Sequence, residues 1–329
     1  MKNHIIFFSG GKSSFSAADY VKTHYPEDNI LLYFTDTLWE DDDLYRFIHE
    51  ASDKLELPLL THSIGLNPIQ LMFEQKVIFN SRIGACSRIL KMEVASNFLR
   101  KGVVPKIEKW HNRQHLQSEN FSEDATLYFG IGWEEMHRQN AIIKNWKPYQ
   151  VKMPLIDNFI DNDKVLKRYD INQPRLYDLQ FAHNNCFGRC VKAGQGHYRN
   201  LKEKLPDIFK KTMEQEHHLK ICVSSYHYIK KMESDGRDGF TEEVRQQMLQ
   251  ELDSAYRDYF YGKRDKPDIY IHPAAGATSE HMRIQQYSFM KRKGKPYPLR
   301  DLYYDAEREG YQMDMFDIGG CGCFVDYSP

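Results

Sequence analysis

Residues 5–14 read Ile5-Ile6-Phe7-Phe8-Ser9-Gly10-Gly11-Lys12-Ser13-Ser14. An apolar run passes without a gap into two glycines, a lysine and flanking serines. Adjacent glycines let the backbone turn tightly and bring its N–H groups close to an anion. The Lys12 ammonium and the hydroxyls of Ser9, Ser13 and Ser14 add donors. The chemistry this segment suits is the binding of phosphate or pyrophosphate. The plain alternative is a glycine turn before an ordinary helix. The loop is not a Walker A motif, which needs a glycine five residues before the Gly-Lys-Ser glycine; counting back from Gly11 reaches Ile6.

The cysteines are the second signal. Cys186-Phe187-Gly188-Arg189-Cys190 is one residue longer than Cys-x-x-Cys, and Cys321-Gly322-Cys323 lies in a glycine-rich tail. Two close pairs give four thiolates, a set that suits tetrahedral Zn²⁺ or an iron–sulfur cluster. The alternative is a set of free thiols. Cys222, inside the apolar Leu219–Val223, reads as core. His183, His197, His217 and His218 read as surface or helix residues.

These residues need a scaffold. Ile5–Phe8 is a buried-type strand, and apolar residues at 15, 17, 18 and 21 have helical spacing. Asn29–Phe34 is a second strand, ending in Thr35-Asp36-Thr37. Glu40–Leu55 carries a helical stripe, Leu59–His62 is a short strand, and Pro68–Phe79 and Ser87–Leu99 are helices. Lys101–Asp124 is polar and irregular, the pattern of an insertion or lid. Thr126–Ile131 is a strand that runs into Gly130-Ile131-Gly132-Trp133. Strands alternating with helices predict an α/β fold, a parallel sheet with helices on both faces. Ligands in such sheets sit beyond the strand C-termini. The glycine loop, Asp36 and Gly130–Trp133 would gather there.

Beyond residue 180 the pattern becomes mainly helical, with helices over His197–His218 and Thr241–Tyr261. Gly262–Lys266 and Lys291–Lys295 are basic loops flanking a possible short strand at Asp268–His272. The expected division is a nucleotide-binding domain over 1–180, with its insertion at about 101–124, and a helical, cysteine-bearing region over 181–329.

Composition narrows the classes. The chain has 329 residues, 41% hydrophobic and 28% charged, with a net charge of −1, so nucleic-acid binding would need a local patch. Lys101–Arg113 and Lys291–Arg300 are the basic segments that could form one, or they are ordinary solvated loops. No apolar stretch reaches the length of a membrane span. The strand that opens the sequence leaves no visible signal peptide, and a cytoplasmic location is expected.

The string Ser9–Ser14 resembles the PP-loop of the ATP pyrophosphatase (adenine nucleotide α hydrolase) superfamily, whose members cleave ATP between the α and β phosphates. Tyr33-Phe34-Thr35-Asp36-Thr37 is similar to the second-strand acidic motif of its phosphoadenosine-phosphosulfate reductase branch. Cys86-Ser87-Arg88-Ile89-Leu90-Lys91 resembles that branch's Cys…Leu-Lys segment. Gly130–Glu135, Met153-Pro154-Leu155-Ile156-Asp157 and Pro174–Asp178 leading to Asn185-Cys186 resemble further family passages, in the family order, over roughly residues 1–200. The resemblance implies a doubly wound PP-loop (HUP-like) domain. It implies that Gly10–Ser14 and Lys12 hold phosphates of ATP or a related adenine nucleotide. Asp36 would be a Mg²⁺ ligand or ribose partner, unless it merely caps the next helix. Gly130 and Gly132 would admit the adenine edge, with Trp133 either a ring contact or core. Lys91 and Arg138 would balance charge at the α phosphate or be solvated helix residues.

The resemblance also offers a cluster. Related adenylylsulfate reductases bind a 4Fe-4S cluster through a Cys-Cys and a Cys-x-x-Cys pair, which implies Cys86, Cys186, Cys190 and either Cys321 or Cys323 here, with Zn²⁺ as the other metal. The tail departs from the family. Sulfonucleotide reductases end in Glu-Cys-Gly-(Leu/Ile)-His, whereas this chain has Gly319-Gly320-Cys321-Gly322-Cys323-Phe324, and residues 200–300 have no counterpart in the small reductases. The expected activity is therefore adenylation of a substrate with release of pyrophosphate, coupled to sulfur transfer onto a nucleobase or nucleic acid. tRNA, DNA or a sulfur-donor protein would be the partner. Two alternatives stand beside it: a sulfonucleotide reductase using a tail cysteine and thioredoxin, and a nucleotide-sensing accessory subunit.

Overall fold

The structure is a computed structural model that describes residues 1–80, 84–234, 240–270 and 283–305. Among the described residues the elements run β1 (Asn3–Phe7), α1 (Lys12–His24), β2 (Asn29–Thr35), α2 (Asp42–Leu55), β3 (Leu59–Ser63), α3 (Pro68–Gln75) and α4 (Glu93–Lys101). Then come β4 (Ile107–His111), β5 (Thr126–Phe129), α5 (Gln139–Asn145), β6 (Gln150–Lys152), α6 (Asn162–Arg168), α7 (Gln195–Lys204), α8 (Pro206–Ser234), α9 (Glu242–Phe260), β7 (Met290–Arg292), β8 (Lys295–Tyr297) and α10 (Leu299–Tyr304). The chain divides into two compact units. The first holds Met1–Asn67 and Ala85–Cys190, the second Pro68–Gly84 and the described residues from Val191 on.

The first unit is α/β, built on a six-stranded sheet of order β4-β3-β2-β1-β5-β6. All pairings are parallel except β3 with β4. Every residue of β2 is buried, as expected of a strand covered on both faces. Alternation along the strands sorts the side chains into two cores. Ile6, Phe8, Ile30, Leu32 and Phe34 pack with Phe15, Ala18 and Val21 of α1 and with Leu44, Phe47, Ile48 and Ala51 of α2. Ile5, Phe7, Leu31, Tyr33, Leu127 and Phe129 turn to the other face, under Ala95 and Leu99 of α4, Ile142 of α5, and Trp146. Helices therefore cover both faces of the sheet.

Several boundaries differ from the sequence reading. Lys101–Asp124 is not an irregular insertion. Its residues Ile107–His111 form β4, which pairs antiparallel with all of β3, from Leu59↔His111 to Ser63↔Ile107. The strand is hard to read because it lies on the sheet edge, where Glu108 and Lys109 are exposed and apolar alternation is weak. The helix expected from Glu40 begins at Asp42, because Asp41 is extended and its carboxylate caps the helix through the Asp43 N–H. The helix expected over His197–His218 is two helices, α7 and α8, which break at Leu205-Pro206 because proline has no N–H to continue the ladder. Lys291–Lys295 is not a loop but most of the β7–β8 hairpin, turning at Lys293 and Gly294, both of positive φ. Asp268–Tyr270 forms no strand, and residues 271 and 272 lie outside the described residues.

The second unit is mainly helical, with the β7–β8 hairpin as its only described sheet. A buried acid ties it together. One oxygen of Glu216, on α8, accepts the Phe289 N–H at 2.7 Å and the other accepts the Leu299 N–H at 2.7 Å. The first lies just before β7, and the second opens α10. Burial pushes the Glu216 carboxyl up to about 7, against the pull of those two donors. The unfolded chain releases this proton near the ordinary 4.5, so between about 4.5 and about 7 the folded state holds more protons and stability falls as pH rises. Glu216→Gln should remove that contribution, about 3 kcal/mol across the window. Denaturant unfolding of wild type and variant at stepped pH checks it. A wild-type-minus-variant difference that stays constant between those pH values contradicts it.

Candidate functional site

The strand order places the site. From β1 the chain moves outward through β2 and β3 to β4, then returns to β5 on the other side of β1. The sheet's topological switch point is therefore the crevice beyond the C-termini of β1 and β5, where open α/β sheets hold their ligands. The glycine loop follows β1, and Gly130–Gly132 follows β5.

The two loops meet backbone to backbone. A Cβ on Gly130 would lie 2.5 Å from the Ser14 nitrogen and 2.6 Å from the Ser13 carbonyl carbon and oxygen. Only a residue without a side chain fits there. Gly10 has φ +77°, and a Cβ there would lie 2.8 Å from Leu44 Cγ, so the turn out of β1 requires glycine on both counts. Gly11 is the N-cap of α1, has no side chain to cap it, and is followed by no acidic residue in the first turn. The first-turn N–H groups, which lack helical partners, are thus left for other oxygens. Ser14 Oγ donates to the Gly11 carbonyl at 2.8 Å, and Ser9 Oγ lies 3.4 Å from Ser14 Oγ.

Beside the loop opens a cleft of about 370 Å³, lined by Ser13, Gly132, Trp133, Glu134, Leu155 and Asn162 among others. That volume is within the range of small-molecule sites, roughly 300–1,000 Å³. Trp133 is 62% exposed, so of its two readings the core one is excluded. Arg138, at the other end of the same short 3-10 helix, pairs with Glu135 at 2.7 Å. Lys12 is engaged by Asp163, with Nζ 3.0 Å from Oδ1, and lies 4.9 Å from the centre of the Tyr177 ring.

Asp36 follows β2 on the same edge of the sheet. Its Oδ1 accepts the Leu38 N–H at 2.7 Å and the Tyr45 hydroxyl at 2.8 Å, while its own N–H donates to the His62 carbonyl at 2.8 Å. Asp36 does not cap the next helix; Asp41 does. Thr35 is buried as the last residue of β2. Lys91 is not a solvated helix residue. It is 4% exposed, on a π-helical turn at Arg88–Met92, with Nζ 3.8 Å from Glu40 Oε1. Glu40 also accepts the Thr37 hydroxyl at 2.8 Å and the Cys186 N–H. Burial raises the Glu40 pKa, and Lys91, the Cys186 N–H and Thr37 oppose that rise.

The cysteine segment belongs to this neighbourhood. Cys186, Phe187 and Gly188 take positive φ of 54°, 51° and 67°. Arg189 stacks 4.3 Å from the centre of the Trp39 ring. Asn184 Nδ2 donates to the Gly10 carbonyl at 3.0 Å. Cys186 and Cys190 are buried, Cys86 is partly exposed, and none is in a disulfide. Among the described residues, no three His, Cys, Asp or Glu side chains are grouped to hold a metal. Cys86, Cys186 and Cys190 are therefore not grouped together as three ligands; Cys321 and Cys323 lie outside the described residues. Cys222 is core, as read, its thiol pushed up to about 12 by burial.

Four residues at the site escaped the sequence reading, Glu40, Asp163, Asn184 and Arg189, while Tyr177 lay in the Pro174–Asp178 passage without a role of its own. Glu40 opens the run Glu40-Asp41-Asp42-Asp43, which has the look of a solvated helix start. Asn184 adjoins the cysteine pair, the single signal that could have found it. No protein-family model, curated protein or solved structure matches the chain.

Gly130→Ala should lower stability by about 1–3 kcal/mol, the cost of overpacking, because its new methyl meets backbone that has no rotamer to move. Denaturant unfolding measures the loss, and a stability equal to wild type contradicts the close packing of the two loops.

Proposed function

We propose that the first unit binds ATP or a related adenine nucleotide and adenylates a substrate, releasing pyrophosphate, as enzymes with a PP-loop do. The observation that carries this reading is the glycine loop at the switch point, with an uncapped α1 N-terminus locked against Gly130. Phosphate oxygens would accept from the first-turn N–H groups and from Lys12. The adenine ring would lie in the cleft by Gly132, with Trp133 at its rim. An acceptor oxygen would attack the α phosphorus in line; that bond forms as the bond to the bridging oxygen breaks, and pyrophosphate leaves with the electron pair. Little side-chain chemistry is needed beyond positioning and charge stabilisation.

Asp36 fits a hard cation, since its Oδ1 is fixed by two donors while Oδ2 has no hydrogen-bond partner among the described residues. Mg²⁺ bound there would neutralise phosphate charge. Lys91, buried beside Glu40, and Arg138 remain the candidates for charge at the α phosphate. A following displacement of AMP by sulfur, onto a nucleobase or nucleic-acid acceptor, is supported by the cysteine segment that docks on the loop through Asn184. The described cysteines do not fit a 4Fe-4S or zinc site without the tail, so no step of the proposed reaction runs through one.

Lys12→Ala should weaken ATP binding about tenfold or more, the loss of a charge-assisted contact to phosphate, with an unchanged far-ultraviolet circular dichroism spectrum. Titration calorimetry measures it. Equal affinity in a folded variant overturns the assignment of the loop.

A further inference from the structure

The uncapped N-terminus of α1 already carries two oxygens supplied by distant parts of its own unit. The Tyr177 hydroxyl lies against the loop, 3.0 Å from where a Cβ on Gly11 would be. The Lys12 ammonium is held at 3.0 Å by the Asp163 carboxylate and lies over the Tyr177 ring. Asn162, the neighbour of Asp163, donates from Nδ2 to Ser13 Oγ at 3.3 Å. The first turn of α6 therefore leans on the loop at two successive residues. Asp163 is placed there by the α6 cap, since Asp161 Oδ1 accepts the N–H groups of Asp163 and Lys164 at 3.1 and 3.2 Å.

The carboxylate occupies the Lys12 ammonium, and the hydroxyl takes up space beside Gly11, where a phosphate would sit. We propose that Asp163 and Tyr177 form a latch that fills the phosphate site of the glycine loop, and that an anionic ligand binds by displacing them. The inference rests on the nucleotide reading of the loop for the identity of that ligand, but not for the latch itself. The contact is built to open. The Asp163 side chain is 65% exposed, so its carboxylate stays hydrated when it releases Lys12. An exposed ion pair of this kind shifts an equilibrium by a factor of only about two to five. A pyrophosphate group brings several anionic oxygens and can replace both the carboxylate at Nζ and the hydroxyl beside Gly11. The latch thus keeps Lys12 beside the loop while no ligand is bound and lowers the affinity for every anion by the same competition.

The test is titration calorimetry of the full chain with ATP and with inorganic pyrophosphate, both without divalent metal. Asp163→Asn keeps the shape and the α6 start but loses the charge, and should tighten both ligands about two- to fivefold. Tyr177→Phe keeps the ring under Lys12 and should tighten them as well. In a Lys12→Ala background, Asp163→Asn should change nothing, because the carboxylate acts through the ammonium. Weaker binding in Asp163→Asn would show that the carboxylate serves the ligand, and overturns the latch. An unchanged affinity, or equal tightening in the Lys12→Ala background, overturns it too. Tighter pyrophosphate binding with no ATP binding keeps the latch and overturns the nucleotide reading. No binding of either ligand to wild type or to Asp163→Asn overturns both.

Discussion

The structure of the site depends on one close approach. Gly130, at the end of β5, lies against the backbone of Ser13 and Ser14 with no room for a methyl group. That approach joins two loops from strands that are neighbours in the sheet but 120 residues apart in the chain. It fixes where α1 begins and points its uncapped N-terminus at the crevice. The α1 helix is also buried along Phe15, Ala18 and Val21, so the core holds the donors in the orientation that the loop contact gives them. The anion site proposed there needs no special side chain; its donors would be backbone groups that the helix cannot satisfy itself.

A second constraint lies on the β2 side of the sheet. Glu40 is a buried carboxylate with three different partners: the Thr37 hydroxyl, the Lys91 ammonium and the Cys186 N–H. A carboxylate taken out of water is costly unless it is satisfied in this way. One of these contacts, from the Cys186 N–H, holds the start of three consecutive residues, Cys186 to Gly188, in a left-handed conformation that costs free energy for the two non-glycine members. The cysteine segment is thus pinned at its start, by the Cys186 N–H to Glu40 and by Asn184 to the Gly10 carbonyl. It belongs to the first unit, which runs on through Cys190.

The second unit follows the same logic with a different acid. Its hairpin and last described helix are anchored to α8 by Glu216, a group whose burial makes it sensitive to pH near neutrality. In both units a single carboxylate closes a junction between segments distant in sequence, where apolar contacts alone would leave backbone N–H groups without acceptors.

Local sequence determined the α/β class, the strands β1, β2, β3 and β5, a helix following the glycine loop, and the position of that loop, although α1 begins at Lys12, inside it. These rest on short-range physics: apolar runs, helical spacing, and glycine's tolerance of φ +77° at residue 10. The edge strand β4 was not legible, because a strand with one free edge keeps polar residues and loses its alternation. Nor were the roles of Glu40, Asp163, Tyr177 and Asn184. Each is defined by a partner far away in the chain, and a carboxylate in an acidic run carries no mark of whether it will be buried. Which thiols lie together was likewise a tertiary matter: the spacing of Cys186 and Cys190 said that a pair was possible, and only the packing of the chain decided that, with Cys86, they do not form a three-ligand site. Sequence sets what each backbone segment can do; which side chains lose their water, and therefore must find partners, is decided by the fold.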